Sequence, residues 1–155
     1  MRYGKAALKS ARDRYDGEAE AKAALALGEV YRHGLDQDTA ISWYAQSRHL
    51  ALLAGNVDCF LWAVIGLSDS RFLLGEDEVA GEILHRINKF VETHPHPLET
   101  LHIRLSILAI ACRKGYDIAE EGTNLVHEYN VLGIHWPKDY LDSLKANIYN
   151  QPKRF

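Results

Sequence analysis

Three glycines recur along the chain at almost equal intervals. The interval from Gly34 to Gly75 is one position longer than the interval from Gly75 to Gly115. Each glycine is followed four to six residues later by an alanine that opens an apolar stripe: Ala40, Ala80 and Ala119. A period of about 40 residues with two helices per unit is typical of an α-solenoid, in which each unit buries its apolar face against the next. The sequence therefore predicts a stack of helical hairpins.

Glycine and proline indicate where the helices end. Apolar residues recur at three- and four-residue spacing between successive glycines, which are interpreted as C-terminal stops. The stops are Gly17, Gly34, Gly55, Gly75, Gly115 and Gly133, and the His-Pro-His-Pro segment 94–97 ends one further helix. This division predicts eight helices, at about 4–15, 18–33, 37–54, 57–74, 77–93, 97–114, 117–132 and 137–149. Period-two runs of β-branched residues are missing, so the predicted fold class is all-α.

The sixth predicted helix carries two apolar stripes instead of one. The first stripe consists of Leu101, Leu105, Leu108 and Cys112, and the second of Ile103, Ile107 and Ile110. A helix that is apolar on two sides is packed on two sides. We therefore expect neighbours on both faces of this helix.

Residues in two of the units match a known repeat in type and spacing. The matching residues are Leu27, Gly28, Tyr31, Ala40, Tyr44 and Ser47 in the first unit, and Trp62, Ile65 and Gly66 in the second. With them the chain resembles a tetratricopeptide-repeat protein, in a variant with a period of about 40 residues and longer helices. Glycine at positions 28 and 66 lets a neighbouring helix approach closely, and aromatic side chains fill the next layer.

The resemblance implies one domain over residues 1–155. It is a right-handed stack of antiparallel helical hairpins, with an orphan helix at 4–15, three hairpin units over about 18–133 and a C-terminal cap helix at about 137–149. Its first helices line a concave groove that binds a partner. The residues placed in this groove are Lys22, Glu29, Arg32, His33, Phe60, Leu67, Ser70, Arg71 and Arg113. Arginine pairs bidentately with carboxylates, so the arginines of this set favour an acidic peptide segment.

Composition argues against several classes of partner. The chain has 18 Lys+Arg against 21 Asp+Glu, a formal net charge of −3, and no block of five or more like charges. We therefore expect neither nucleic acid nor a membrane surface as a partner. Apolar runs are too short to span a bilayer, and the first residues do not resemble a signal peptide. Cys59 and Cys112 are predicted to be small buried hydrophobes, which fits a cytoplasmic protein.

The common catalytic motifs are missing from the sequence. It contains no phosphate-binding glycine loop, no Gly-x-Ser-x-Gly, no His-Glu-x-x-His and no Cys-x-x-Cys. We therefore predict no enzymatic activity, no cofactor and no metal site. One alternative is a small metal-dependent enzyme or sensor that uses His85, His94, His96 and His102, although their spacing matches no standard ligand set.

These observations predict a non-catalytic module that binds a protein or peptide in the concave groove. The alternative from a different class is a module for homo-oligomerisation or structure. In that case the sixth helix would pack against a second copy, together with the surface that follows it. That surface consists of Tyr116, Leu125, Tyr129 and Leu132.

Overall fold

The computed structural model describes residues 2–133, which form seven α-helices. Their bounds are α1 Arg2–Asp13, α2 Gly17–His33, α3 Gln37–Ala54, α4 Val57–Leu73, α5 Asp77–Thr93, α6 Pro97–Arg113 and α7 Ala119–Val131. No strand occurs in these residues, so the predicted all-α fold is confirmed, and α2 to α6 lie within one residue of their predicted bounds. The helix predicted at 137–149 lies outside the described residues. None of the seven described helices combines the length and apolar character that crossing a membrane requires.

The helices form a curved stack of hairpins. Each helix packs against the next one along the chain, and connections of two to five residues make successive helices antiparallel. In addition, α2 packs against α4, and α4 against α6. In the described part of the chain, by contrast, no Cα atom of α5 comes within 8 Å of one in α3 or α7. Alternate helices therefore touch on one side of the stack only, so that α2, α4 and α6 form its concave face.

The turns from the start of α2 to the start of α6 recur at a constant interval. Helices begin at residues 17, 37, 57, 77 and 97, and left-handed φ angles occur at residues 15, 35, 55, 75 and 115. The start of α7 at Ala119 and the left-handed Gly133 depart from this interval. Two of the left-handed residues are not glycine, since Tyr15 has a φ of 55° and Leu35 a φ of 64°. The backbone unit of two helices therefore has a constant length as far as α6. The longer of the two glycine intervals in the sequence arises because Gly34 lies one position before the left-handed residue.

One of the predicted glycine stops is wrong, since Gly17 is the first residue of α2. The stop at Gly34 is confirmed, because Gly34 is the C-cap of α2, although its φ of −77° lies outside the left-handed region. A capping aspartate precedes each of the helices α2 and α3. The carboxylates of Asp16 and Asp36 accept the backbone N–H three residues on, at 3.0 and 3.2 Å. The residue before each capping aspartate, Tyr15 or Leu35, has the left-handed φ although it is not glycine.

Tyr44 is the central side chain of the first interface between hairpins. It is fully buried, and its ring lies against Gly28 of α2 and Gly66 of α4. A Cβ atom on Gly28 would lie 2.7 Å from the ring, and one on Gly66 would overlap the same ring even more closely. The predicted role of both glycines in close approach is therefore confirmed, and the group that approaches them is a single tyrosine of α3.

The expectation that α6 packs on two sides is confirmed. Ile103 and Ile110 belong to an apolar cluster with residues of α4 and α5. Leu101 and Leu105 belong to a second cluster on the other side of the helix, whose members in α7 include Leu125. Because α6 is buried by α4 and α5 on one side and by α7 on the other, it joins the last described helix to the rest of the stack.

Two glycine-to-alanine substitutions test the packing of Tyr44. Gly66→Ala should lower the free energy of unfolding by about 1–3 kcal/mol, because the new methyl group overlaps the tyrosine ring. Gly81→Ala is the matched control in α5, where a Cβ atom would meet nothing within 4 Å, and it should raise the same quantity by about 0.5–1 kcal/mol. Urea unfolding measures both. Equal effects of the two substitutions would contradict the role assigned to Tyr44.

Candidate functional site

The residues predicted to line the groove differ in their exposure. Leu67 and Ser70 are buried, and Leu67 belongs to the apolar cluster of Tyr44. Phe60 is half-buried among core residues of α3, α4 and α5. The other six predicted residues keep part or most of their surface in contact with solvent: Lys22, Glu29, Arg32, His33, Arg71 and Arg113. Polar contact with a partner is therefore open to these six, whereas Leu67 and Ser70 contribute packing.

A hydrogen-bonded cluster of three residues joins α2 to α3, and we call it the Tyr44 cluster. The hydroxyl of Tyr44 donates to Glu29 Oε1 at 2.6 Å and accepts from Arg32 Nε at 3.1 Å. Arg32 Nη2 also pairs with Glu29 Oε2 at 2.6 Å. One side chain thus combines a ring that packs between two helices with a hydroxyl that orients an ion pair on the concave face.

The electrostatics of the Tyr44 cluster keep its charges constant at neutral pH. Burial raises the pKa of Glu29, but the hydrogen bonds from Tyr44 and Arg32 outweigh this and lower it below its ordinary value. Burial and then the neighbouring carboxylate raise the pKa of Tyr44. Burial lowers the pKa of Arg32, and the contacts with Glu29 more than offset this effect. The cluster therefore consists of one anion, one cation and a neutral phenol.

Asp69 of α4 lies within the electrostatic influence of this cluster and is bound differently. Ser106 Oγ of α6 donates to its Oδ1 at 2.8 Å. In the described part of the chain, no lysine, arginine or histidine nitrogen lies within 4 Å of its carboxylate. Burial raises the pKa of Asp69, against the opposing effects of Ser106 and Arg32. In its ionised form Asp69 thus has no direct counterion among the described residues, and it lies on the middle helix of the concave face.

The arginines of the predicted row are each engaged within the chain. Besides the pair in the Tyr44 cluster, Arg71 Nη1 pairs with Glu76 at 2.7 Å. Arg113 Nη1 pairs with Asp77 at 2.8 Å, donates to the carbonyl oxygen of Phe72 and lies with its guanidinium 3.4 Å above the Phe72 ring. An acidic peptide would have to compete with these internal acceptors for each arginine.

The four histidines of the metal alternative have different surroundings. The ring of His94 stacks on Phe90 with centroids 4.5 Å apart, and His96 Nδ1 lies 3.2 Å from Asp58. His102 packs edge-on against Trp62 at 4.8 Å, and burial lowers its pKa. Within residues 2–133, no group of three or more histidine, cysteine, aspartate or glutamate side chains is arranged to hold a metal ion.

The surface proposed for oligomerisation is only partly exposed. Leu125 and Tyr129 are buried in the cluster that joins α7 to α6, whereas Tyr116 and Leu132 remain exposed. Two of the four residues that were predicted to pack against a second copy therefore already pack within one chain.

The two cysteines are free and buried, as predicted.

A further concavity of about 360 Å³ lies between the turn before α6, α6 itself and α7. Its walls include Pro95, Leu101 and Val131, together with the ion pair formed by Arg104 and Glu128 at 2.5 Å. Because these two charges satisfy one another, the cavity offers shape and apolar surface, and its charge is balanced. Asp69 on the concave face remains the more specific feature.

Sequence reasoning missed the polar core of the site. Asp69 and Ser106 are 37 residues apart, and neither was predicted to bind anything. One signal was present, because Ser68-Asp69-Ser70 is a run of polar residues inside α4, the most apolar of the described helices. An ionisable residue inside such a helix, with a pKa that burial perturbs, is a candidate for a functional position.

The chain was compared with protein families, with curated proteins and with solved structures, and none of the three comparisons found a match.

Asp69→Asn tests the cost of the buried carboxylate, because it keeps the acceptor for Ser106 and removes the charge. Since folding raises the pKa of Asp69, it favours the protonated form. That stabilisation is fully present below the ordinary pKa of 3.8 and is lost as the pH rises through the raised value. In urea unfolding at pH 7, we expect the variant to be more stable than the wild type, and the difference to shrink toward pH 4.

Glu82→Gln, at an exposed position of α5, changes the charge equally and is the control. It should show no such pH-dependent gain in stability. An Asp69→Asn variant that is less stable than the wild type at pH 7, or a difference that does not vary with pH, would contradict the assignment of Asp69 as an uncompensated buried anion.

Proposed function

We propose that this chain is a non-catalytic interaction module that binds an extended segment of a partner protein along the concave face. The observation that carries the proposal is the one-sided contact between alternate helices. Because α4 contacts both α2 and α6 on this side, side chains from three alternate helices form one continuous surface. A curved surface shared by successive repeats is what helical-repeat proteins use to bind extended partners.

The size of the face suits a short peptide. Packed helices lie about 8–10 Å apart, so the distance from α2 across α4 to α6 is about 20 Å. An extended chain advances about 3.3–3.6 Å per residue, which corresponds to about six residues of a partner across the face. The proposed ligand is therefore a peptide segment, since a small metabolite would contact only one pair of helices.

The chemistry of the face suits recognition better than proton transfer. The acid and base groups of the Tyr44 cluster hold one another in hydrogen bonds, and the raised pKa of Tyr44 keeps its hydroxyl protonated. The resemblance of the chain to tetratricopeptide repeats supports the same function. The two free cysteines fit a reducing compartment, and we include a cytoplasmic location in the proposal.

A selection of displayed peptides tests the proposal. A library of random dodecapeptides is selected on the wild-type chain, and the affinity of the enriched peptides is measured by calorimetry. Lys22→Ala combined with His33→Ala removes two exposed side chains of α2 that are predicted to line the groove. We expect this variant to bind the selected peptides about tenfold more weakly or worse, a loss of about 1.4 kcal/mol.

The matched control carries Lys89→Ala with His85→Ala, the same pair of changes at exposed positions of α5. It should bind as the wild type does, and circular dichroism should show equal helicity in all three proteins. If no peptide is enriched, or if both double variants bind equally, the proposed function is contradicted.

A further inference from the structure

The charges near the middle of the concave face do not balance when Asp69 is ionised. Glu29 and ionised Asp69 contribute two negative charges, and Arg32 contributes one positive charge, which its hydrogen bonds direct to Glu29 and Tyr44. His102 of α6 is within the electrostatic influence of Arg32, and burial favours its neutral form. Ionised Asp69 therefore carries one negative charge in excess, and burial opposes that charge by raising the pKa of the carboxyl group.

The position of Asp69 makes this charge accessible to a ligand on the face. The residue lies on α4, the middle one of the three helices, and keeps part of its surface in contact with solvent. Ser106 holds Oδ1 from the side of α6. In the hydrogen bonds among the described residues, only Oδ1 of this carboxylate is used, which leaves Oδ2 as an acceptor. The carboxylate is thus oriented by one neighbour, and its second oxygen makes no hydrogen bond among the described residues.

We propose that Asp69 binds a cationic side chain, lysine or arginine, of the peptide segment that lies on the concave face. The inference rests on the proposed function and names the chemistry of its partner. An ammonium or guanidinium group supplies both the hydrogen-bond donor and the charge that Asp69 lacks, and a charge-assisted hydrogen bond is about twice as strong as a neutral one.

An acidic segment is the less favourable ligand at this position. A carboxylate placed beside ionised Asp69 meets a like charge, and Arg32, the cation whose charge acts on Asp69, is already paired with Glu29 at 2.6 Å. The arginines at the ends of α4 and α6 likewise have acidic partners within the chain. The proposal thus has the opposite charge preference to the one that the row of arginines indicated in the sequence.

Two pentapeptides test the proposal directly. Both are capped at each end and consist of alanine with one central residue, which is lysine in the first and glutamine in the second. Each is titrated into the isotopically labelled full chain at pH 7, and the amide signals of Asp69 and Ser106 are followed by NMR. We expect these signals to reach half-saturation at an approximately tenfold lower concentration of the lysine peptide.

Variants that replace one carboxylate with an amide decide whether the preference for the lysine peptide comes from Asp69. In Asp69→Asn the two peptides should bind with nearly equal affinity, while Glu82→Gln on α5 should preserve the wild-type preference. Equal binding of both peptides to the wild type, no change in the two signals, or a preference that survives in Asp69→Asn would each overturn the proposal.

The selection of displayed peptides separates this inference from the proposed function. Enrichment of groove-binding peptides without a basic position would overturn the cationic anchor and leave the interaction module in place. Enrichment of a lysine or arginine at one position, lost when the selection is repeated on Asp69→Asn and kept on Glu82→Gln, would support both.

Discussion

The packing of Tyr44 between two glycines is the constraint on which the first half of the stack depends. Its ring fills the space that Gly28 and Gly66 leave open, so that α2, α3 and α4 meet around one side chain. Close-packed interiors respond to a single added methyl group, because no free volume remains to absorb it. The approach of α2 to α4, and with it the curvature that produces the concave face, follows from this contact.

The same residue connects the packing to the chemistry of the face. The Tyr44 hydroxyl orients Glu29 and Arg32 into a pair that neutralises itself, and this leaves the carboxylate of Asp69 as the unbalanced charge. Keeping a buried charge costs stability that an amide in its place would not cost. Proteins retain such costs at sites of function, which is why the binding proposal centres on Asp69 and not on the arginines.

The helices could be predicted from local signals, and the site could not. Glycine, proline and apolar spacing act over a few residues, so the bounds of α2 to α6 were nearly correct. At the turn before α3, Gly34 ends α2 as its C-cap, while the left-handed conformation falls on Leu35, one residue later. The contact of Asp69 with Ser106 joins two helices across 37 residues of sequence, and the engagement of each arginine also depends on tertiary neighbours. Spacing within one helix carries no information about such partners.

A double-mutant cycle between Gly66 and Tyr44 tests the central claim most directly. Gly66→Ala is measured by urea unfolding in the wild-type background and in a Tyr44→Leu background. If the tyrosine ring is what excludes a side chain at position 66, the cost of Gly66→Ala should disappear with Tyr44→Leu, giving a coupling free energy of about 1 kcal/mol or more. An equal cost in both backgrounds would contradict the account, because the glycine would then be required for a reason unrelated to Tyr44.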